Sequence, residues 1–87
     1  MSKADLLSAL DWLERGNLQP GTEMEEAHTI TQAHEGDPLH DWIHALVHRI
    51  EGDDANAAYW YRRAGRTRHP GSVGEEWRII RAEVEKE

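Results

Sequence analysis

The clearest pattern along the chain lies at its centre. Leu39, Trp42, Ile43, Leu46, Val47 and Ile50 recur at intervals of three and four residues. At about 100° per residue they cover an arc of roughly 140° on one helix. Asp37 and Pro38 stand in front of it as an N-cap carboxylate and a proline at the first helical position, and Gly52 closes the far end. The spacing predicts a central core helix over 38–51.

Flanking segments carry similar punctuation. Leu6, Ala9, Leu10 and Leu13 predict a helix over 3–15, with Ser2 as its cap and Gly16 as its stop. Thr22 and Glu25 form a T-x-x-E pattern, expected to act as a capping box for a second helix that stops near Gly36. Asp53 is placed to cap a fourth helix over 54–64, ended by Gly65. Ser72 and Glu75 repeat the capping-box pattern ahead of a narrower stripe of Val73, Trp77, Ile80 and Val84, which predicts a helix over 73–85. No stretch reads as a β-hairpin. The expected fold is all-α, one small helical domain over 1–87, with two helical hairpins and a closing C-terminal helix.

A faint internal repeat agrees with two hairpins. Asp11-Trp12-Leu13 matches Asp41-Trp42-Ile43 thirty residues on, and Ala27 matches Ala57 at the same offset. Stacked hairpins closed by a terminal helix are how short α-solenoids bury their open faces.

With only 87 residues, the chain buries roughly 60–65% of the surface its unfolded form exposes. The core is therefore expected to be thin and to lean on the four Trp. The chain has no Cys, which excludes thiolate metal sites, disulfides and cysteine nucleophiles. It shows no signal-peptide pattern and no apolar run long enough to span a bilayer, so a reducing cytoplasm is the expected setting and a membrane is not an expected partner. A formal net charge of −7 repels phosphate at long range and disfavours nucleic acid.

The candidate chemistry begins with the histidines. His40, His44 and His48 fall at a strict spacing of four. His44 and His48, one helical turn apart, can share a metal ion. His40 and His48 cannot, because about 12 Å of helical rise separates them. Glu51 follows His48 by one turn, and Glu25-x-x-His28 offers an i, i+3 carboxylate–imidazole pair of the kind used in di-iron bundles. The metal reading thus draws on His44, His48, Glu51, Glu25 and His28, with a divalent ion. Two further readings stand beside it. In one, the three rings form the solvated edge of an amphipathic helix, packed on one side with wet nitrogens. In the other, they take a structural or pH-sensing hydrogen-bond role.

A second candidate is the run YWYRRAGRTRH, residues 59–69, where Arg62, Arg63, Arg66 and Arg68 follow three aromatics. Aromatic and basic residues together can bind an acidic peptide, a small anion or nucleotides. Their local alternative is interaction with the helix C-terminus and with nearby carboxylates. No phosphate-binding loop, dinucleotide fingerprint, nucleophile elbow or zinc-protease motif is present.

Two resemblances follow. Counted from Gly52, Ala57, Tyr61 and Ala64 fall at the small, aromatic and small positions of the second helix of a tetratricopeptide repeat, and Ala45 fits the first helix. Residues 38–70 resemble such a repeat, although Trp42 and Pro70 each stand one residue late and His44 and His48 replace Leu and Tyr. That resemblance implies a packing mode rather than an activity. In addition, WIHALVHRIEGDDANAAYWYRRAG, from Trp42 to Gly65, resembles a motif W-x-H-A-x-x-H-R-x-E-G-D-x-x-N-A-x-Y-W-Y-R-R-A-G of short uncharacterised bacterial proteins with some fungal relatives. It directs attention to His44, His48, Glu51, Asn56, Trp60, Tyr61 and Arg62.

The leading expectation is a small non-enzymatic interaction module. It would bind a protein, peptide or small anion through His44, His48, Asn56, Trp60, Arg62 and Arg63. The alternative is a metal-binding protein or metal-dependent enzyme built on His44 and His48 with a carboxylate.

Overall fold

Residues 3–87 are described by a computed structural model. Five helices follow one another: α1 (Lys3–Arg15), α2 (Thr22–Gln32), α3 (Pro38–Glu51), α4 (Asp54–Ala64) and α5 (Val73–Glu85). The all-α expectation holds, with no strand among the described residues. Among the described residues, no helix is long and apolar enough to cross a membrane.

Three of the helix boundaries follow their local chemistry. Asp37 accepts from the His40 backbone N–H at the start of α3, and Asp53 accepts from that of Asn56 at the start of α4. Ser72 and Glu75 form the reciprocal capping box of α5. Gly52 and Gly65 end α3 and α4 at φ of 86° and 71°, in the left-handed region where a side chain is strained.

α2 differs from expectation at both ends. Gly21 is its N-cap, no side-chain cap forms, and Thr22 is already inside the helix. The Glu25 N–H is taken by the Gly21 carbonyl, so the Thr22–Glu25 capping box does not exist. The helix ends at Gln32, and residues 33–36, Gly36 included, are turns. The proposed Ser2 cap of α1 lies outside the described residues.

α1 lies beside α2, and α3 beside α4, as two helical hairpins. α5 packs against α1 and α3, and its backbone has no neighbour in α4. It therefore lies against the first helix of each hairpin instead of continuing a stack beyond the second. α3 ends up in the middle, adjoining all four other helices. Every residue from His40 to His48 is buried, so both the polar and the apolar face of α3 are inside.

The apolar face packs as its spacing predicts. Ile43, Leu46 and Val47 are fully buried against Leu6, Leu10, Leu13, Ile80 and Val84. Within this core sits an ion pair that the stripe pattern does not show. The fully buried Glu76 accepts from Arg49 Nη1 at 2.6 Å, from Trp42 Nε1 at 3.0 Å and from the Tyr61 hydroxyl at 2.8 Å. Arg49 also donates to the carbonyls of His69 and Gly71. One carboxylate thus ties α3, α4 and α5 together, and its guanidinium partner ties in the α4–α5 loop. Burial and the bond to Glu76 push the Tyr61 phenol well above its ordinary pKa, so it stays protonated and keeps donating.

Removing one member of a buried pair leaves the other charge uncompensated. Glu76→Ala is expected to cost about 3–5 kcal/mol in denaturant unfolding. Arg68→Ala, which breaks only the exposed pair with Asp54, is expected to cost under about 1 kcal/mol. Equal, small losses would show that the Glu76 network does not hold the helices together.

Candidate metal centre

The polar face of α3 meets α2 on one side and α4 on another. From α2, His28 reaches His44 with their Nε2 atoms 3.0 Å apart. His48, one turn beyond His44, has its ring centroid 5.0 Å from that of His28 and 4.9 Å from that of His44. One ring nitrogen from each of His28, His44 and His48 lies within 4.8 Å of the others. Sixteen residues separate His28 from His44, so the α2–α3 packing makes this convergence.

Two of the three rings are backed by a carboxylate one turn away. His48 Nδ1 donates to Glu51 Oε1 at 2.8 Å, which leaves Nε2 as the nitrogen not engaged by that carboxylate. His28 Nδ1 faces Glu25 Oε1 at 3.9 Å, the range of an ion pair. A carboxylate behind an imidazole fixes the tautomer and raises ligand basicity. His44 has no such partner, and its Nδ1 is buried without a hydrogen bond. Its ring is instead held face-on by Trp60 of α4, with centroids 3.8 Å apart and planes 15° apart. The Arg63 guanidinium covers the Trp60 ring at 5.0 Å.

The solvated-edge expectation does not survive: the residue exposures of His40, His44 and His48 are 0%, 2% and 6%. α2 and α4 cover the flank that an amphipathic reading leaves to water. Burial, reinforced by His28, His48 and Arg63, pushes the His44 pKa down to about 3. Burial and the neighbouring His48 also lower that of His28, against the opposing pull of Glu25 and Glu51. Both rings are therefore neutral at pH 7, the form a metal requires.

His40 lies apart, as its helical rise requires. Its Nδ1 is bonded to Asp37, and its ring stacks on His34, centroid to centroid at 4.2 Å, while His34 pairs with Asp5 at 3.2 Å. Asn56 is exposed and donates through Nδ2 to Asp53 at the start of α4. Arg62 and Arg63 are exposed on α4, with Arg63 donating to the Tyr59 hydroxyl. The sequence-predicted residues thus divide. His28, His44, His48, Glu25, Glu51 and Trp60 come together, whereas Asn56 and Arg62 do not join them. His48, Glu51 and Asp53 form a second, more exposed group at the α3–α4 turn.

No protein-family model, curated protein or solved structure matches this chain.

A neutral buried imidazole makes stability depend on pH in a definite sense. With His44 depressed from 6.5 to about 3, the unfolded chain binds the proton first as pH falls. The stabilising contribution is fully present above pH 6.5 and is lost as pH drops toward 3. For metal-free protein in chelator, His44 alone predicts a loss of about 2 kcal/mol between pH 7 and pH 5. His44→Phe, which keeps a ring against Trp60, is expected to flatten the profile over that interval by about this amount. Identical pH profiles for the two proteins would refute a neutral buried His44.

Proposed function

We propose that the protein binds a divalent transition-metal ion, with His28, His44 and His48 as ligands and Glu25 and Glu51 as their outer partners. The convergence of three imidazoles from two helices carries this reading. For a tetrahedral ion with about 2.05 Å to each nitrogen, ligand nitrogens stand about 3.3 Å apart. The His28–His44 separation is already 3.0 Å, and no pair within the 4.8 Å group needs to close by more than about 1.5 Å. Two carboxylates around three neutral rings balance a 2+ ion, so loading leaves little net charge in a half-buried site. An all-nitrogen donor set suits Zn²⁺, Ni²⁺, Co²⁺ or Cu²⁺ and does not suit Mg²⁺ or Ca²⁺. Three protein ligands leave a fourth position for water or a carboxylate.

Metal-free protein carrying no polyhistidine tag tests this directly. At about 100 times Kd, Zn²⁺ is expected to stabilise by about 2.7 kcal/mol, which raises the Tm by roughly 10 °C or more. The rise is expected to vanish in the double variant His28→Ala, His48→Ala. Glu51→Gln is expected to weaken binding by about 10- to 100-fold. An unchanged Tm under saturating Zn²⁺, Ni²⁺ and Co²⁺ would end the metal reading.

A second reading rests on the outer side of α4. Arg62, which has no ion-pair partner among the described residues, borders a shallow cavity of about 250 Å³ with Tyr61, Thr67, Arg68 and Asp54. That surface suits a small anion or an acidic peptide, in keeping with an interaction module. It is distinct from the histidine cluster, so the two functions are compatible. Arg62→Glu is expected to abolish NMR shifts of the Thr67 and Arg68 amides on titration with an acidic peptide and to leave Zn²⁺ binding intact. Shifts that persist in the variant would rule this surface out.

A further inference from the structure

The three proposed ligands are not equally ready to receive an ion. His48 Nδ1 donates to Glu51, which leaves its Nε2 as the nitrogen available to an ion. The His28–His44 contact holds a single proton between two Nε2 atoms 3.0 Å apart. Which ring owns it follows from the other side of each ring. If His28 were the donor, its Nδ1 lone pair would face the Glu25 carboxylate, and His44 would carry a buried Nδ1–H with no acceptor. A buried unpaired N–H is among the costliest defects in a folded protein. The opposite assignment removes both faults. His44 Nε2–H donates to His28 Nε2, and His28 Nδ1–H faces Glu25.

Resting His44 therefore holds its proton on the nitrogen that a metal needs. Loading requires the proton to leave Nε2 for water on the His28 side and another to enter at Nδ1. The proton count does not change, and the Nε2 lone pair passes to the ion. Nδ1, however, is sealed from water. The indole of Trp60 lies flat on the ring, and Arg63 lies on the indole. On the other side of the cluster, His28 is partly exposed, with a side-chain exposure of 19%. An ion arriving from there takes the His28 Nε2 lone pair from the His44 N–H and binds His28 and His48 without disturbing Trp60.

The geometry points to Trp60 as a gate on the proposed metal site: an ion is first held by His28 and His48, and His44 joins only after the indole moves aside and lets water exchange the proton at Nδ1. This rests on the metal reading above. The same movement admits a water that accepts from the new Nδ1–H. It is a side-chain motion on α4, whose backbone adjoins α3 alone. Gated steps of this kind are slow and independent of ligand concentration.

Stopped-flow mixing of metal-free protein with Co²⁺, whose visible band intensifies on tetrahedral nitrogen coordination, tests the gate. Two phases are expected. The fast one scales with Co²⁺ concentration, and the slow one does not and runs about twofold or more slower in D₂O. Trp60→Ala is expected to speed the slow phase by about 10-fold or more and to leave the fast phase within about twofold. Trp60→Phe keeps a ring on His44 and is expected to retain a slow phase close to that of the parent. A residue that only stabilises the fold would alter melting without touching the isotope effect. One concentration-dependent phase with the full equilibrium spectrum overturns the gate and leaves the metal site standing. A slow phase unmoved by Trp60→Ala also overturns it, and absence of any Co²⁺ band at equilibrium overturns both. Should Trp60→Ala fail to fold, the concentration dependence and isotope effect in the parent protein decide.

Discussion

A helix with no solvent face must satisfy its polar side chains from inside the protein. That constraint on α3 organises the rest of the molecule. Asp41, His40, His44, His48 and Arg49 all project from a helix with neighbours on every side. Each needs a partner drawn from another element, from its own caps or from its own last turn. Arg49 finds Glu76 of α5 and two loop carbonyls, His48 finds Glu51, and His40 finds Asp37. Asp41 accepts from the Gly36 N–H, and burial raises its pKa. His44 meets His28 of α2 through two ring nitrogens. The chain is too small to hide a wide apolar core, so it packs a polar helix in the centre and wires it to its surroundings.

The two polar clusters of α3 play different physical parts. Glu76, Arg49, Tyr61 and Trp42 form a closed set: the carboxylate and guanidinium are both used, and the phenol is held protonated. Such a set specifies which helices meet and offers nothing to a ligand. The histidine set is open. It presents ring nitrogens that converge, one nitrogen without a partner, and an edge that reaches solvent at His28. A structural network closes on itself, whereas a binding site keeps unused donor capacity. This difference, more than the number of histidines, separates the candidate site from the scaffold.

Much of the fold is legible in the sequence because it depends on local chemistry. The boundaries of α3, α4 and α5 follow from Asp37, Asp53 and Ser72 at one end and from Gly52 and Gly65 at the other. α2 reads less well because Thr22 and Glu25 suit a cap and a first turn equally, and Gly21 takes the cap. The Glu25–His28 and His48–Glu51 pairs are readable from helical spacing alone. The meeting of His28 with His44 is not, since it depends on how α2 lies against α3. The burial of the histidine flank is likewise invisible to an amphipathic reading, which assigns polar positions to water. Glu76 stands next to Glu75, and nothing local tells a capping carboxylate from one in the core.

Histidine clusters of this kind serve as metal ligands or as neutral hydrogen-bonded packing, and the two differ in the first coordination shell. X-ray absorption at the zinc edge of the Zn²⁺-loaded protein measures that shell directly. Three imidazoles at about 2.0–2.1 Å, with their outer-ring scattering and a fourth light atom, are the predicted result. An oxygen-dominated shell lacking imidazole scattering would contradict the account, because the ion would then sit on surface carboxylates and not between α2 and α3.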